Sequence, residues 1–74
     1  MYTELNRNTF YLVLTARYDP YEEELEDFFQ YESEALDYAE ATADLYGVHF
    51  CKVIKVLDGS PQLLAIYPGR YTKN

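Results

Sequence analysis

Hydrophobic and polar positions alternate along residues 9 to 18. Alternation with a period of two predicts a β-strand, because successive side chains of a strand point to opposite faces. One face carries a set that ends in a charged residue: Tyr11, Val13, Thr15 and Arg17. The other face is more uniformly apolar, and we expect it to be the core face: Phe10, Leu12, Leu14, Ala16 and Tyr18.

The acidic segment that follows this strand fits either a helix or a second strand. Asp19–Pro20 with Glu22 three residues after the aspartate resembles a helix start. Alternatively, residues 19–23 form a hairpin loop and residues 24–31 form a strand whose end is rich in aromatic side chains. Ser33 already supplies a cap for a helix that follows. We therefore favour the strand.

The pattern of residues 33–46 predicts an amphipathic helix. Ser33 is the expected N-cap, and Gly47 suits the left-handed conformation that ends many helices. Apolar residues recur on one face at helical spacing: Ala35, Leu36, Ala39, Ala43 and Tyr46. This face is mostly alanine, so we expect the helix to lie close against a sheet. Carboxylates line the opposite side at intervals of three and four residues: Asp37, Glu40 and Asp44.

A hairpin is predicted at the end of the chain. Residues 48–57 form a strand rich in β-branched residues, Asp58–Gly59 is a turn signal, and residues 62–67 return. Residues 1–8 and 70–74 are expected to be loose ends. The pattern of elements therefore predicts that residues 1–74 form a single α+β domain of order ββαββ, with one antiparallel sheet and a single helix packed on one face.

The composition limits how such a domain can be stabilised. The chain has 74 residues, which allow one small core, and Cys51 is its only cysteine, so no internal disulfide can form. Nine tyrosines and four phenylalanines supply bulky side chains for packing. The first seven residues lack the basic-then-apolar pattern of a secretory signal, and the apolar run at residues 10–14 is too short to span a membrane. We expect a cytoplasmic protein that does not bind membranes.

Negative charge is concentrated in the middle of the chain. The net charge is −7, but eleven acidic residues and no lysine or arginine lie between Tyr18 and Cys51. The flanking segments hold two acidic residues and all six basic ones. One side of the molecule should therefore be strongly negative, which disfavours direct binding to nucleic acid.

The residue patterns of common catalytic and metal sites are missing. His49 and Cys51 share a strand face, but their Cα atoms would lie about 6–7 Å apart and no third group orients a base. Acidic runs such as Glu22–Glu24 suggest uniformly solvated carboxylates, whereas paired-carboxylate catalysis needs two different environments. One histidine and one cysteine cannot complete a structural zinc site. We predict a protein that is not an enzyme and needs no cofactor or metal.

The acidic side of the predicted helix is our candidate for partner binding. Regularly spaced carboxylates on a rigid element can imitate phosphates and attract a basic surface. The alternative is an ordinary solvated face, but such helices usually mix both signs of charge. We predict that a main row on the helix binds the partner: Asp37, Glu40 and Asp44. A second row precedes the helix and consists of Glu24, Glu26 and Asp27, and Tyr38 is the predicted aromatic anchor.

The order of elements resembles that of small proteins encoded by phages and mobile elements, including some anti-CRISPR proteins. This architecture is carried here by the following segments: Phe10–Tyr18, Phe28–Tyr31, Ser33–Ala39, Val48–Leu57 and Gln62–Tyr67. The resemblance implies an inhibitor that acts by occupying a surface. The acidic face leads us to expect that this surface is a basic one on a nucleic-acid-binding protein. The alternative is a small adaptor or structural subunit that pairs through a sheet edge or a tyrosine-rich face, including as a homodimer.

Overall fold

A computed structural model describes residues 8–70, which form one four-stranded antiparallel sheet and a single helix. The elements are β1 (Thr9–Arg17), β2 (Glu23–Phe29), α1 (Glu32–Ala43), β3 (Val48–Leu57) and β4 (Ser60–Pro68). The strand order is β2-β1-β3-β4, so β2 and β4 form the two edges. The predicted ββαββ order, the antiparallel sheet and the helix packed on one face are confirmed.

The segment after β1 is a turn followed by a strand. Asp19 organises the turn: its carboxylate accepts a hydrogen bond from the Tyr21 amide at 2.9 Å, and its carbonyl accepts one from the Glu22 amide at 3.2 Å. β2 then begins at Glu23. The strand interpretation of this segment is confirmed, because Asp19 stabilises a short turn and no helix follows it.

Helix α1 begins and ends earlier than predicted. Its N-cap is Tyr31, which has an extended backbone and makes no side-chain capping bond, so Ser33 is not the cap. The helix ends at Ala43, and Tyr46 lies in the following turn with 84% of its surface exposed. The prediction that Tyr46 belongs to the apolar helix face is therefore wrong. Gly47 does adopt a left-handed conformation, with φ +90°.

The helix covers the sheet face that we had expected to point outward. Tyr11 is only 7% exposed, and Val13 and Thr15 are fully buried beneath α1. The predicted core face, carried by Phe10, Leu12, Leu14 and Ala16, lies on the other side of the sheet. Arg17 misled the prediction, because its charge is neutralised locally by an acidic side chain.

Small side chains allow the helix to lie close to the sheet. Three alanines of α1 pack against the two central strands, and the buried cluster is made of Tyr11, Val13, Ala35, Ala39, Ala43, Cys51 and Val53. Larger side chains close its rim: Phe29, Leu36 and Tyr67. The predicted alanine face is confirmed.

The β3–β4 hairpin turns at Asp58 and Gly59, whose φ angles of 52° and 83° are both positive, as a type I′ turn requires. The first and last described residues are anchored by backbone hydrogen bonds. The Asn8 carbonyl accepts from the Asp58 amide at 2.8 Å, and the Arg70 amide donates to the Ala43 carbonyl at 3.0 Å. The remainder of the expected loose ends, residues 1–7 and 71–74, lies outside the described residues.

Candidate functional site

The main acidic row lies on the solvent side of α1. Asp37, Glu40 and Asp44 are all exposed, opposite the alanine face. No basic residue occupies the last turn of the helix. Asp44 follows that turn, where negative charge is unfavourable with respect to the helix dipole, and the Arg70 Nη1 atom lies 3.7 Å from its carboxylate. Asp37 and Glu40 are therefore more available to a partner than Asp44.

The second predicted row lies along the edge strand β2, where Glu26 differs from Glu24 and Asp27 in its neighbours. The pairing of β1 with β2 shifts between Val13 and Leu14, which face Asp27 and Leu25, so Glu26 sits in a bulge. Its carboxylate accepts hydrogen bonds from Thr15 Oγ1 at 2.8 Å and Arg17 Nε at 3.1 Å. Glu26 thus holds the sheet together on the helix side.

The Glu26 carboxylate is held in its charged form. The hydrogen bond from Arg17 is the largest cause and lowers the pKa of Glu26 against the opposing effect of partial burial, with further lowering by Thr15 and Tyr38. Its side chain is 17% exposed. Glu24 and Asp27 are exposed, and the Asp27 carboxylate accepts a local hydrogen bond from the Phe28 amide at 2.8 Å. Of the second row, Glu24 and Asp27 face solvent.

Tyr38, the predicted aromatic anchor, packs within the protein. It is 36% exposed, and its ring centroid lies 5.3 Å from that of Phe29 with the planes tilted by 49°. Its contact with Phe29 ties the helix to β2. The residue therefore offers a partner only about a third of its surface.

The geometry does not favour nucleophilic catalysis by Cys51. The residue is fully buried, and burial raises the pKa of its thiol to about 11, so the thiolate is scarce at neutral pH. Across residues 8–70, no group of three or more histidine, cysteine, aspartate or glutamate side chains is placed to hold a metal ion. The same part of the chain has no helix with the length and apolarity needed to cross a membrane.

Within residues 8–70, no helix or strand covers the sheet face opposite α1, which is apolar. The sequence analysis did not identify this face as a surface. We call it the open sheet face and define it by four cross-strand rows. In order from β2 to β4 the two central rows are Phe28–Leu12–Ile54–Leu63 and Leu25–Leu14–Lys52–Ile66. The outer rows are Phe10–Val56–Pro61, which has no member on β2, and Glu23–Ala16–Phe50–Pro68.

Much of this face is in contact with solvent. Its four most exposed large side chains are Phe28 at 63%, Leu25 at 56%, Leu63 at 55% and Ile66 at 52%. A shallow groove of about 350 Å³ runs between Phe10, Leu12 and Phe28. Such exposure is unusual for a single contiguous apolar area, since scattered apolar residues are the norm on protein surfaces.

The charged residues within these rows neutralise each other. Lys52 Nζ lies 2.9 Å from Glu23 Oε2, across the intervening strand β1. The same ammonium lies 5.6 Å from the centroid of the Phe50 ring, where a cation–π contact adds to its local support. The open sheet face is therefore neutral, although the chain carries a net charge of −7.

Comparison with protein-family models, with curated proteins and with solved structures found no match to this chain. The resemblance to small phage-encoded inhibitors therefore stays a prediction, and the functional argument depends on the surfaces described above.

Proposed function

We propose that the protein is a non-enzymatic inhibitor that docks its acidic helix side on a basic surface of a nucleic-acid-binding protein. The observation that supports the proposal is the row of exposed carboxylates along α1, formed by Asp37, Glu40 and Asp44. No lysine or arginine interrupts the sequence between Tyr18 and Cys51.

The spacing of this row is of the same order as that of phosphates. Seven residues separate Asp37 from Asp44, which at about 1.5 Å per residue gives a span of about 10 Å along the helix axis. Three carboxylates over this span compare with one phosphate per roughly 3.4 Å along each strand of duplex DNA. A groove lined with lysine and arginine would attract such a row from a distance.

The proposed contact set follows the exposure of each residue. Asp37, Glu40 and Asp44 form the main row, and the exposed Glu24 and Asp27 on the edge strand β2 complete the set. Glu26 is excluded from the set, because its carboxylate is engaged by Arg17 and Thr15.

Charge reversal of Asp37 and Glu40 tests the proposal. Both are exposed, and neither belongs to the Arg70 contact, so a double lysine variant should fold normally. A matched control reverses Glu22 and Glu32, two exposed acids outside the row, and changes the net charge equally. Circular dichroism and thermal unfolding would establish that both variants are folded.

The binding assay uses tagged protein to capture a basic partner from a nuclease-treated lysate, followed by affinity measurements with the purified partner. We expect the D37K/E40K variant to lose binding, the control variant to retain it, and added DNA or RNA to compete. Binding should weaken steeply as salt is raised, because the Debye length falls from about 10 Å at 0.1 M to about 3 Å at 1 M. Unchanged affinity in D37K/E40K would contradict the proposal.

The second candidate function is that of a small adaptor or structural subunit. The open sheet face favours it, because Phe28, Leu25 and their neighbours offer an apolar surface that needs no charge complement. Binding through this face would respond little to salt, which separates it from binding through the acidic row.

A further inference from the structure

We propose that the open sheet face is the interface of a homodimer, in which two copies of this chain pack sheet against sheet. The two α1 helices would then lie on the outside of the assembly, one on each side. This inference does not depend on the function proposed for the acidic row.

The exposed apolar area matches what a stable dimer needs. Five large side chains of this face are at least 36% exposed: Phe10, Leu25, Phe28, Leu63 and Ile66. Their exposed fractions together correspond to on the order of 500 Å² of apolar surface, taking roughly 150–250 Å² for each aromatic side chain and the lower part of that range for leucine and isoleucine. Homodimer interfaces are about 65% apolar, so an apolar area of this size corresponds to a total interface of about 800 Å² per partner, which is the size of a typical stable interface.

The arrangement of side chains suits sheet-on-sheet packing. The rows cross all four strands, and stacked sheets lie about 10 Å apart with their side chains interdigitated. The groove of about 350 Å³ between Phe10, Leu12 and Phe28 gives an apolar side chain of the second copy a place to enter. A two-fold axis would use the same groove on both copies, because an isologous interface repeats each contact.

The distribution of charge also favours a second copy as the occupant. Two chains that each carry −7 repel one another, but the Lys52–Glu23 pair leaves the open sheet face neutral. With layers about 10 Å apart, sheet-to-sheet packing would separate the two acidic helices by roughly 30 Å, about three Debye lengths at 0.1 M salt. In this orientation the two acidic rows lie on opposite outer sides of the assembly.

Pairing of two copies through a sheet edge is less favourable at both edges, β2 and β4. The β2 edge carries acidic side chains along most of its length (Glu23, Glu24, Glu26 and Asp27), so pairing two copies of this edge would bring like charges close together. The β4 edge contains Pro61 and Pro68, which cannot donate backbone hydrogen bonds.

The test compares single charged substitutions on the two faces of the molecule. Phe28→Glu places a charge in the central row of the open sheet face, at a side chain that is 63% exposed and therefore not needed for the core. Tyr31→Glu is the matched control, since Tyr31 is 64% exposed and lines a groove on the helix side together with Tyr11. Leu63→Glu, on the opposite edge of the open sheet face, supplies a second variant at 55% exposure.

Sedimentation velocity and light scattering on the full chain would give the mass over a wide range of concentrations. We expect a species of twice the 8.7 kDa chain mass for the wild type and for Tyr31→Glu. Phe28→Glu and Leu63→Glu should raise the dimer Kd at least about a hundredfold, because each substitution occurs twice in the interface. Circular dichroism would confirm that these variants keep the native fold.

Two results would overturn the inference. One is a wild-type chain that stays monomeric at every concentration, which would leave the face to another occupant. The other is a dimer whose Kd is unchanged by Phe28→Glu and Leu63→Glu, as edge pairing would give. The D37K/E40K variant should still dimerise, so failure of the acidic-row proposal and failure of the dimer are distinguishable.

Discussion

Removal of the Glu26 carboxylate should destabilise the protein by about 2 kcal/mol at neutral pH. Thr15 is fully buried, and its hydroxyl donates to Glu26 at 2.8 Å. Leaving a buried polar group without its partner costs about 1–3 kcal/mol. The ion pair with Arg17 adds only about 0–1 kcal/mol, because the Arg17 side chain is 31% exposed and solvent screens it. We therefore expect Glu26→Ala to lower the free energy of unfolding by about 2 kcal/mol, near the middle of the combined range.

Varying the pH separates the contribution of the Glu26 charge to stability from that of the rest of its side chain. Its pKa is lowered in the folded state, so its stabilising contribution is fully present above the ordinary pKa near 4.5 and is lost as the pH falls through the lowered value. Glu26→Gln keeps an acceptor oxygen but carries no charge. We expect Glu26→Gln to be less stable than the wild type at pH 7 and nearly equal to it once the wild-type carboxyl is protonated.

Urea unfolding followed by circular dichroism, at one fixed protein concentration, measures these differences. The control is Glu24→Ala, an exposed acid of the same strand, which should change the free energy of unfolding by less than about 0.5 kcal/mol. The reasoning would be refuted if Glu26→Ala were no more destabilising than Glu24→Ala. It would also be refuted if the difference between wild type and Glu26→Gln were the same at neutral and acidic pH.

Two further predictions concern the core and the turn before β3. Alkylation of Cys51 at neutral pH should occur only as fast as the protein opens, because the thiol is fully buried and burial raises its pKa to about 11; rapid labelling of the folded protein would contradict this. Gly47→Ala should lower the free energy of unfolding by more than Gly59→Ala, measured by urea unfolding. Both glycines have positive φ, but a Cβ added at Gly47 would meet the Tyr18 ring at 2.9 Å, whereas a Cβ added at Gly59 would have no such neighbour within 4 Å. In a Tyr18→Ala background, the two glycine substitutions should cost the same. If they already cost the same in the wild type, the contact with the Tyr18 ring would be refuted as the cause.

The elements of the fold could be predicted because each has a local cause. Alternation specifies β1, the alanine spacing specifies the buried face of α1, and Asp58–Gly59 specifies the hairpin through two positive φ angles. The beginning of α1 could not be predicted from capping residues. Tyr31 takes the N-cap position through its backbone alone, with its carbonyl accepting from the Ala35 amide at 3.2 Å.

The choice of sheet face could not be predicted because both faces of the central strands are apolar. Arg17 made one face of β1 look like the solvent side, yet Glu26 neutralises it there. That contact depends on the bulge between β1 and β2, which is a property of strand register and has no signature in either strand alone. One helix cannot cover two apolar faces, so the sequence did contain a sign that one of them would be left open.

The placement of the candidate site residues in the fold could be predicted only in part, for the same reason. Asp37, Glu40 and Asp44 lie together because helical spacing is a local property. Glu26 and Tyr38 were assigned to binding from their position in the sequence, but contacts with Arg17 and Phe29 engage them within the fold. Whether the acidic row binds a partner stays a prediction.

The alanine face of α1 has a consequence for the order in which the protein opens. Ala35, Ala39 and Ala43 let the helix approach the sheet, but each alanine buries only a methyl group, and burial stabilises by about 0.8 kcal/mol per CH₂-sized group. The central strands instead hold each other through a continuous backbone ladder. Separation of the helix from the sheet would nevertheless expose the strand side chains that it covers, Tyr11, Val13, Cys51 and Val53, so it is not a low-cost opening. The edge strand β2, whose side chains are mostly exposed, can open at a lower cost, and the acidic row then stays fixed on the rest of the sheet.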